Sequence, residues 1–380
     1  MWFCSLQGVT FSLAHCSGQG YRPRQSFVAE SGRSPLTNLS RFGVFLPSFI
    51  WDEDGAERAR GIVDFAREAE SLGFGSIFAT DHLLTARRLY SVSFLEPLTT
   101  LSLVAGVTDR IMLGTSVLVV PIREPVLLAK QIATLHFLSG GRFVLGAGIG
   151  WYPKEYEATG VSKSERGART DEILDIVLPL LEGERVTYEG HYYSVDDVEI
   201  EPGTKDRPEL WIGGGSQLAD PASPEAPRFA DAVKRRILRS EGWIPRPTSP
   251  PEDIRRDRGD LLEYFAANGR DPRTLTVAHE NFMHFVGTQD PLAARREQHD
   301  AFLRVMSGER GPQYLERVYL LGTPDEIVAS LQARIDAGVQ RFMIHTMTPH
   351  PAQLEQWVAH IVPNVRFPAE GPDQSPPARP

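Results

Sequence analysis

The sequence predicts an α/β protein, a (β/α)₈ TIM barrel with insertions, over residues 41–365. Three observations predict it. Short apolar runs recur eight times, and amphipathic stretches with helical spacing lie between them. Helix-start signals stand at the heads of several of those stretches. The turn after the first run, Pro47-Ser48-Phe49, lacks the G-x-G-x-x-G fingerprint of an open dinucleotide-binding sheet. Parallel strands need crossover helices and are buried on both faces, and an eight-unit alternation closes most economically as a barrel.

The elements follow in order. Phe42 to Leu46 is a buried strand ending at Pro47. A helix then places Ile62, Phe65, Ala66, Ala69 and Leu72 on one face and stops at Gly73. Ser76 to Thr80 is the second strand and runs into Asp81-His82. Pro97 to Val107 is a helix, Ile111 to Val119 a long third strand, and Pro125 to Leu138 a helix closed by Gly140-Gly141. Phe143 to Gly148 is the fourth strand and Asp171 to Leu181 its helix. Residues 186–200 read as an inserted hairpin turning near Glu189-Gly190. Glu209 to Ile212, Gly242 to Ile244, Thr274 to Phe285 and Phe342 to Ile344 complete the strands. Their helices are expected at Pro224 to Leu238, Pro250 to Ala267 and Pro324 to Ala337, with a helical insertion near Asp290 to Val305. Thr323-Pro324-Asp325-Glu326 carries a cap, a first-turn proline and a capping-box glutamate; Ser249-Pro250-Pro251-Glu252 repeats the pattern, and Ser223-Pro224 is a weaker version.

Composition bounds the partners. Of 380 residues, 41% are hydrophobic and 23% charged, with a formal net charge of −9. An acidic balance argues against nucleic acid and anionic membranes, and no apolar run is long enough to span a bilayer. Cys4 and Cys16 both precede the barrel, so no disulfide framework is expected and a reducing cytoplasm fits best. Residues 1–40 show no sustained period and are expected to form a poorly ordered extension. Residues 366–380 are Pro-rich and expected to be disordered.

In a barrel of this kind the chemistry lies at the C-terminal strand ends. The residues there are aromatic, glycine-rich and modest in charge, which suits a flat conjugated ring better than a metal or a phosphorylated sugar. No lysine lies within a predicted strand to form a Schiff base, and no H-x-H pair offers a metal site, so no metal is expected.

An ordered set of motifs then carries a resemblance. It comprises Thr80-Asp81-His82, Leu113 to Leu118, Gly140-Gly141-Arg142-Phe143, Gly146 to Trp151, Trp211 to Ser216 and Glu241-Gly242-Trp243. From about Arg41 to Val362 this resembles the luciferase-like monooxygenase superfamily. The resemblance implies a non-proline cis peptide at Ser116-Val117 against the cofactor ring, the alternative being an ordinary core strand. It implies cofactor contacts at Gly148, Gly150 and Trp151. It also implies them at Gly213, Gly214, Gly215 and Ser216, where the alternative is a close-packed barrel corner. Asp81 and His82 become catalytic candidates, or else a structural histidine held by its aspartate. Trp243, His279, Asn281 and His345 are candidates for the substrate pocket. Arg166 and Arg169 flank a helix start, able to meet a cofactor tail or to face solvent.

The resemblance implies a reduced flavin-type cofactor, either FMN with oxygenation or the deazaflavin F-420 with hydride transfer, and leans to F-420. The expected partners are a small organic substrate, a flavin reductase or deazaflavin-reducing system, and a second copy in a homodimer. The alternative function is a non-catalytic or cofactor-free barrel with a binding or structural role. The hairpin at 186–200 and the insertion at 286–318 are expected to shape the mouth.

Overall fold

The computed structural model describes residues 38–50, 55–86, 89–203, 206–216, 229–307 and 311–368. The barrel strands are β1 Phe42–Phe45, β2 Ser76–Ala79, β3 Met112–Thr115 and β4 Phe143–Gly148, then β5 Glu209–Gly213, β6 Gly242–Ile244, β7 Thr276–Phe282 and β8 Arg341–His345. Each runs parallel to its neighbour, β5 pairs with β4 through Leu210 and Leu145, and β8 returns to β1 through Met343 and Gly43. The ring is closed.

A barrel helix follows each strand, with further helices at Pro153–Thr159, Pro291–Val305 and Pro312–Val318. The barrel helices are α1 Gly55–Leu72, α2 Pro97–Ala105, α3 Pro125–Leu138 and α4 Arg166–Leu181, then α5 Asp231–Leu238, α6 Pro251–Ala267, α7 Pro324–Asp336 and α8 Ala352–His360. The period-2 alternation of each strand divides its side chains between two layers. Phe45, Phe78, Val144, Trp211, Ile244, Ala278 and Met343 fill the barrel interior. Their neighbours Val44, Ile77, Leu145, Ile212, Val277 and Ile344 pack outward in the layer under the helices. On α1 the buried Ile62, Phe65, Ala66 and Ala69 fall at helical spacing, and Gly73 ends it in the left-handed region at φ 97.

Several expectations need correction. The third strand does not run unbroken to Val119. It stops at Thr115, the Ser116-Val117 peptide is cis as the resemblance implies, and Leu118–Val119 pairs anew with β4. The capping box at Thr323 and Glu326 is formed, but Ser249 caps nothing. Pro250 occupies the N-cap position of α6, so the serine stands one residue too early for its hydroxyl to reach the first-turn N–H groups. The hairpin pairs Val186–Glu189 with Ser194–Val198 and turns over 190–193, later than expected. It runs beside α4, where Glu172 accepts from the N–H groups of His191, Tyr192 and Tyr193. None of its residues lines the cavity described below.

The expected extension and tail lie outside the described residues except for 38–40 and 366–368, as do Cys4, Cys16 and the Ser223-Pro224 helix start. Among the described residues no helix is long and apolar enough to cross a membrane.

Candidate active site

A cavity of 730 Å³ opens at the C-terminal ends of the strands. Val117, the second residue of the cis peptide, projects into it between two glycines. A Cβ at Gly148 would stand 2.4 Å from Val117 Cγ2, and one at Gly213 would stand 2.7 Å from Cγ1. The glycines are therefore the condition for the valine's place.

Asp81 and His82, adjacent in sequence, do different things. The Asp81 carboxylate accepts from Val119 N at 2.8 Å and from Arg123 at 2.9 Å. Burial pushes its carboxyl up against the opposing pull of Arg123. It ties down the chain just after the cis peptide and is not the partner of His82. His82 Nδ1 stands 3.2 Å from Glu155 Oε1, on the helix Pro153–Thr159. Glu155 is 1% exposed and also accepts from Leu84 N at 3.2 Å. A buried carboxylate facing Nδ1 fixes the tautomer and leaves Nε2 as the nitrogen for proton exchange. Trp151 meets the ring edge-on, with centroids 5.7 Å apart.

The cavity floor holds a second network. Ser116 Oγ donates to Glu280 Oε2 at 2.9 Å, and His345 Nε2 lies 3.0 Å from Glu280 Oε1. The His345 ring is stacked between Phe45 and Phe282, at centroid distances of 3.5 and 4.2 Å. Burial pushes the imidazole below its usual range despite the carboxylate, so the neutral ring donates from Nε2. Glu280→Leu would strand two buried polar groups and is expected to lower unfolding stability by about 1–3 kcal/mol. Glu280→Gln retains an acceptor and is expected to cost less. Denaturant unfolding of both variants checks this, and equal stability of Glu280→Leu and the parent protein refutes it.

Across the mouth, the loop Gly213 to Ser216 is held from behind. Trp243 Nε1 donates to Gly214 O at 2.7 Å, Gly214 N donates to Ile244 O at 3.0 Å, and Asp257 accepts from Ser216 N at 2.7 Å and from its hydroxyl at 2.5 Å. Lys163, Arg166, Arg236 and Arg246 also line the cavity. Arg236 is committed to Asp171 and Gly167 O, whereas Arg166 donates to Lys163 O and keeps a buried Nε without a hydrogen-bond partner. Arg169 does not line the cavity; it pairs with Glu165 and lies over Tyr192.

Of the expected site residues, the structure gathers His82, Asp81, Ser116, Val117, Gly148, Gly150, Trp151, Gly213, Gly214 and Gly215 around one cavity. Ser216 lies behind it, turned to Asp257. Trp243, His279 and Asn281 are corrections. Trp243 points to the outer layer and supports Gly214. His279 and Asn281 share a face of β7, as expected, but that face is the outer one. His279 meets Arg246 O at 3.2 Å, and burial pushes its imidazole down to about 3. Asn281 donates to Val318 O and accepts from Phe282 N and Leu320 N. His345 faces inward but lies beneath the cavity lining, acting through Glu280. The alternate residues Glu280 and Phe282 line the cavity in their place, as do Glu155, Met306, Tyr314 and Tyr319.

The sequence profile described as luciferase-like monooxygenase matches residues 40–341. The chain belongs to the luciferase-like monooxygenase family. It is thereby an oxidoreductase of the luciferase-like class, with the closed barrel of that class. Among its curated relatives is the F-420-dependent glucose-6-phosphate dehydrogenase of Kineococcus radiotolerans, 30% identical over 325 residues, which covers 80% of this chain and 93% of the relative. Solved luciferase-like structures share the fold. An F-420-dependent secondary alcohol dehydrogenase in complex with an F-420–acetone adduct superposes with a TM-score of 0.69 at 18% identity, covering 86% of this chain and 98% of the other. The oxygenating constituent of 3,6-diketocamphane monooxygenase from Pseudomonas putida, in complex with FMN, gives 0.63 at 18% identity, covering 89% and 100%.

Proposed function

We propose that this oxidoreductase binds the deazaflavin F-420 and couples hydride transfer to proton transfer on a small organic substrate, in the cytoplasm. The residues fit such a group. Val117, seated between Gly148 and Gly213, offers a surface for one ring face. The Arg166 guanidinium, beside the Gly213 to Gly215 loop that lines the same cavity, offers positive charge for an anionic tail. Similarity over 80% of this chain to a relative named for F-420 use favours the deazaflavin over FMN.

The observation that carries the reaction is the His82–Glu155 pair on the cavity wall. A bound deazaflavin supplies two-electron exchange with a substrate carbon. What the chain must supply is a place for the accompanying proton, and His82 Nε2 provides it while Glu155 stabilises the ring in either protonation state. Trp151, Met306, Tyr314 and Tyr319 line the same cavity and offer it apolar and aromatic surface.

Side-by-side titration with F-420 and FMN tests the reading. F-420 is expected to bind at least about tenfold more tightly, and turnover is expected to proceed without oxygen. Tighter FMN binding with substrate-dependent oxygen consumption would overturn it.

A further inference from the structure

Three carboxylates stand among the described residues that line the cavity: Asp81, Glu155 and Glu280. The Asp81 side chain is 2% exposed and ion-paired with Arg123 at 2.9 Å. That of Glu155 is 1% exposed and faces the His82 imidazole, which can take up a proton. Glu280 differs in both respects. Its side chain keeps 11% of its surface open, and its partners, the Ser116 hydroxyl and the His345 imidazole, bring hydrogen bonds without positive charge. Burial between Phe45 and Phe282 keeps that imidazole neutral.

Topology sets the place of this charge. In the ring of eight, β3 and β7 lie opposite one another. The bond from Ser116, just past β3, to Glu280 on β7 therefore crosses the barrel. It ends beside Val117, the next residue in the chain and the surface assigned above to one ring face. The lining cations Lys163, Arg166, Arg236 and Arg246 belong instead to the segments after β4, β5 and β6. An anion held by neutral donors in a largely buried site acts on its surroundings with little screening.

We propose that Glu280 sets the redox balance of the bound cofactor, its charge favouring the oxidised ring over the reduced one. The reduced cofactor is then a stronger hydride donor in the cavity than in free solution. The inference rests on the deazaflavin reading above and adds a residue that tunes it. A hydride carries one hydrogen and an electron pair, and so brings one unit of negative charge to the ring that accepts it. When it leaves, the ring is oxidised by two electrons and the substrate carbon is reduced by two. The accompanying proton exchanges at His82 Nε2, as above. Glu280 takes no part in either transfer; it is a positioning residue for charge.

The test uses the full chain and titrates oxidised and reduced F-420 separately without oxygen, each read by quenching of tryptophan emission. The ratio of the two dissociation constants isolates the effect, because contacts common to both forms cancel. The parent protein is expected to bind the oxidised form at least about tenfold more tightly, the effect of a unit charge about 10 Å away at intermediate screening. Glu280→Gln keeps a hydrogen-bond acceptor and removes the charge. Its ratio is expected to fall about tenfold, equivalent to a rise of about 30 mV in the bound two-electron potential. Ser116→Ala removes a donor and leaves the charge, so its ratio is expected to stay within about twofold of the parent. An unchanged ratio in Glu280→Gln, with both affinities equally reduced or neither, would make the residue merely structural and overturn the proposal. An equal shift in Ser116→Ala would also overturn it, by assigning the effect to the hydroxyl. Tighter binding of the reduced form by the parent would overturn it without any variant. Failure of both forms to bind would instead overturn the cofactor reading, and this inference with it.

Discussion

Replacing His82 with alanine is expected to lower kcat by about 10²–10⁴-fold while changing F-420 affinity by less than about threefold. The expectation follows from the position of the imidazole. Its Nδ1 is engaged with Glu155 and its ring is framed by Trp151, Tyr90 and Phe94 at centroid distances of 5.7, 5.1 and 5.9 Å. The side chain is thus oriented by its surroundings before any substrate arrives, and what it contributes is a proton acceptor. Glu155→Gln keeps the shape and one hydrogen bond but removes the charge that stabilises the protonated ring. Its loss in kcat is expected to be smaller, and adding it to His82→Ala should cost little more, because both act through one nitrogen. Steady-state kinetics on the three variants with a cofactor titration decides it. Unchanged kcat in His82→Ala would remove the residue from the reaction, and additive losses would separate Glu155 from it.

Gly148→Val is expected to abolish measurable cofactor binding, a loss of at least about a hundredfold in affinity. The new Cβ would fall 2.4 Å from Val117 Cγ2, inside any real carbon–carbon contact. The valine flanking the cis peptide must move, and it moves into the space proposed for the ring. Gly213→Val should act the same way from the other flank. The variant should otherwise fold, because the glycine faces a cavity and not the packed interior below it. Circular dichroism and fluorescence titration check both halves. Full cofactor affinity in a folded Gly148→Val protein would show that the Val117 surface is not where the ring lies.

How far the sequence reached can be judged at particular residues. The barrel was legible because buried parallel strands leave long apolar runs, and helices between them leave 3.6-residue stripes with proline and glycine at their ends. The strand-end glycines and His82 were legible because a fixed topology sends strand ends to one rim. The partner of His82 was not. Asp81 is the nearest carboxylate in sequence, yet it turns away to Val119 and Arg123, and Glu155 arrives from the helix Pro153–Thr159. On β7 the two-residue period showed that His279 and Asn281 share a face. Nothing along the strand itself says which face looks inward.

By itself, then, the sequence determined the repeat of strand and helix, the closed ring and the rim on which chemistry takes place. These follow from local periodicities and from burial, which every residue of an element reports together. The tertiary structure alone decided that Glu280 and not His279 enters the cavity, that Glu155 orients His82, and that Leu89 and Ser91 pair with Ser307 and Val305 beside it. Such pairings join residues tens to hundreds of positions apart. The closure of the ring and the docking of two loops set them, and no single segment of the chain carries a signal for where another will come to rest.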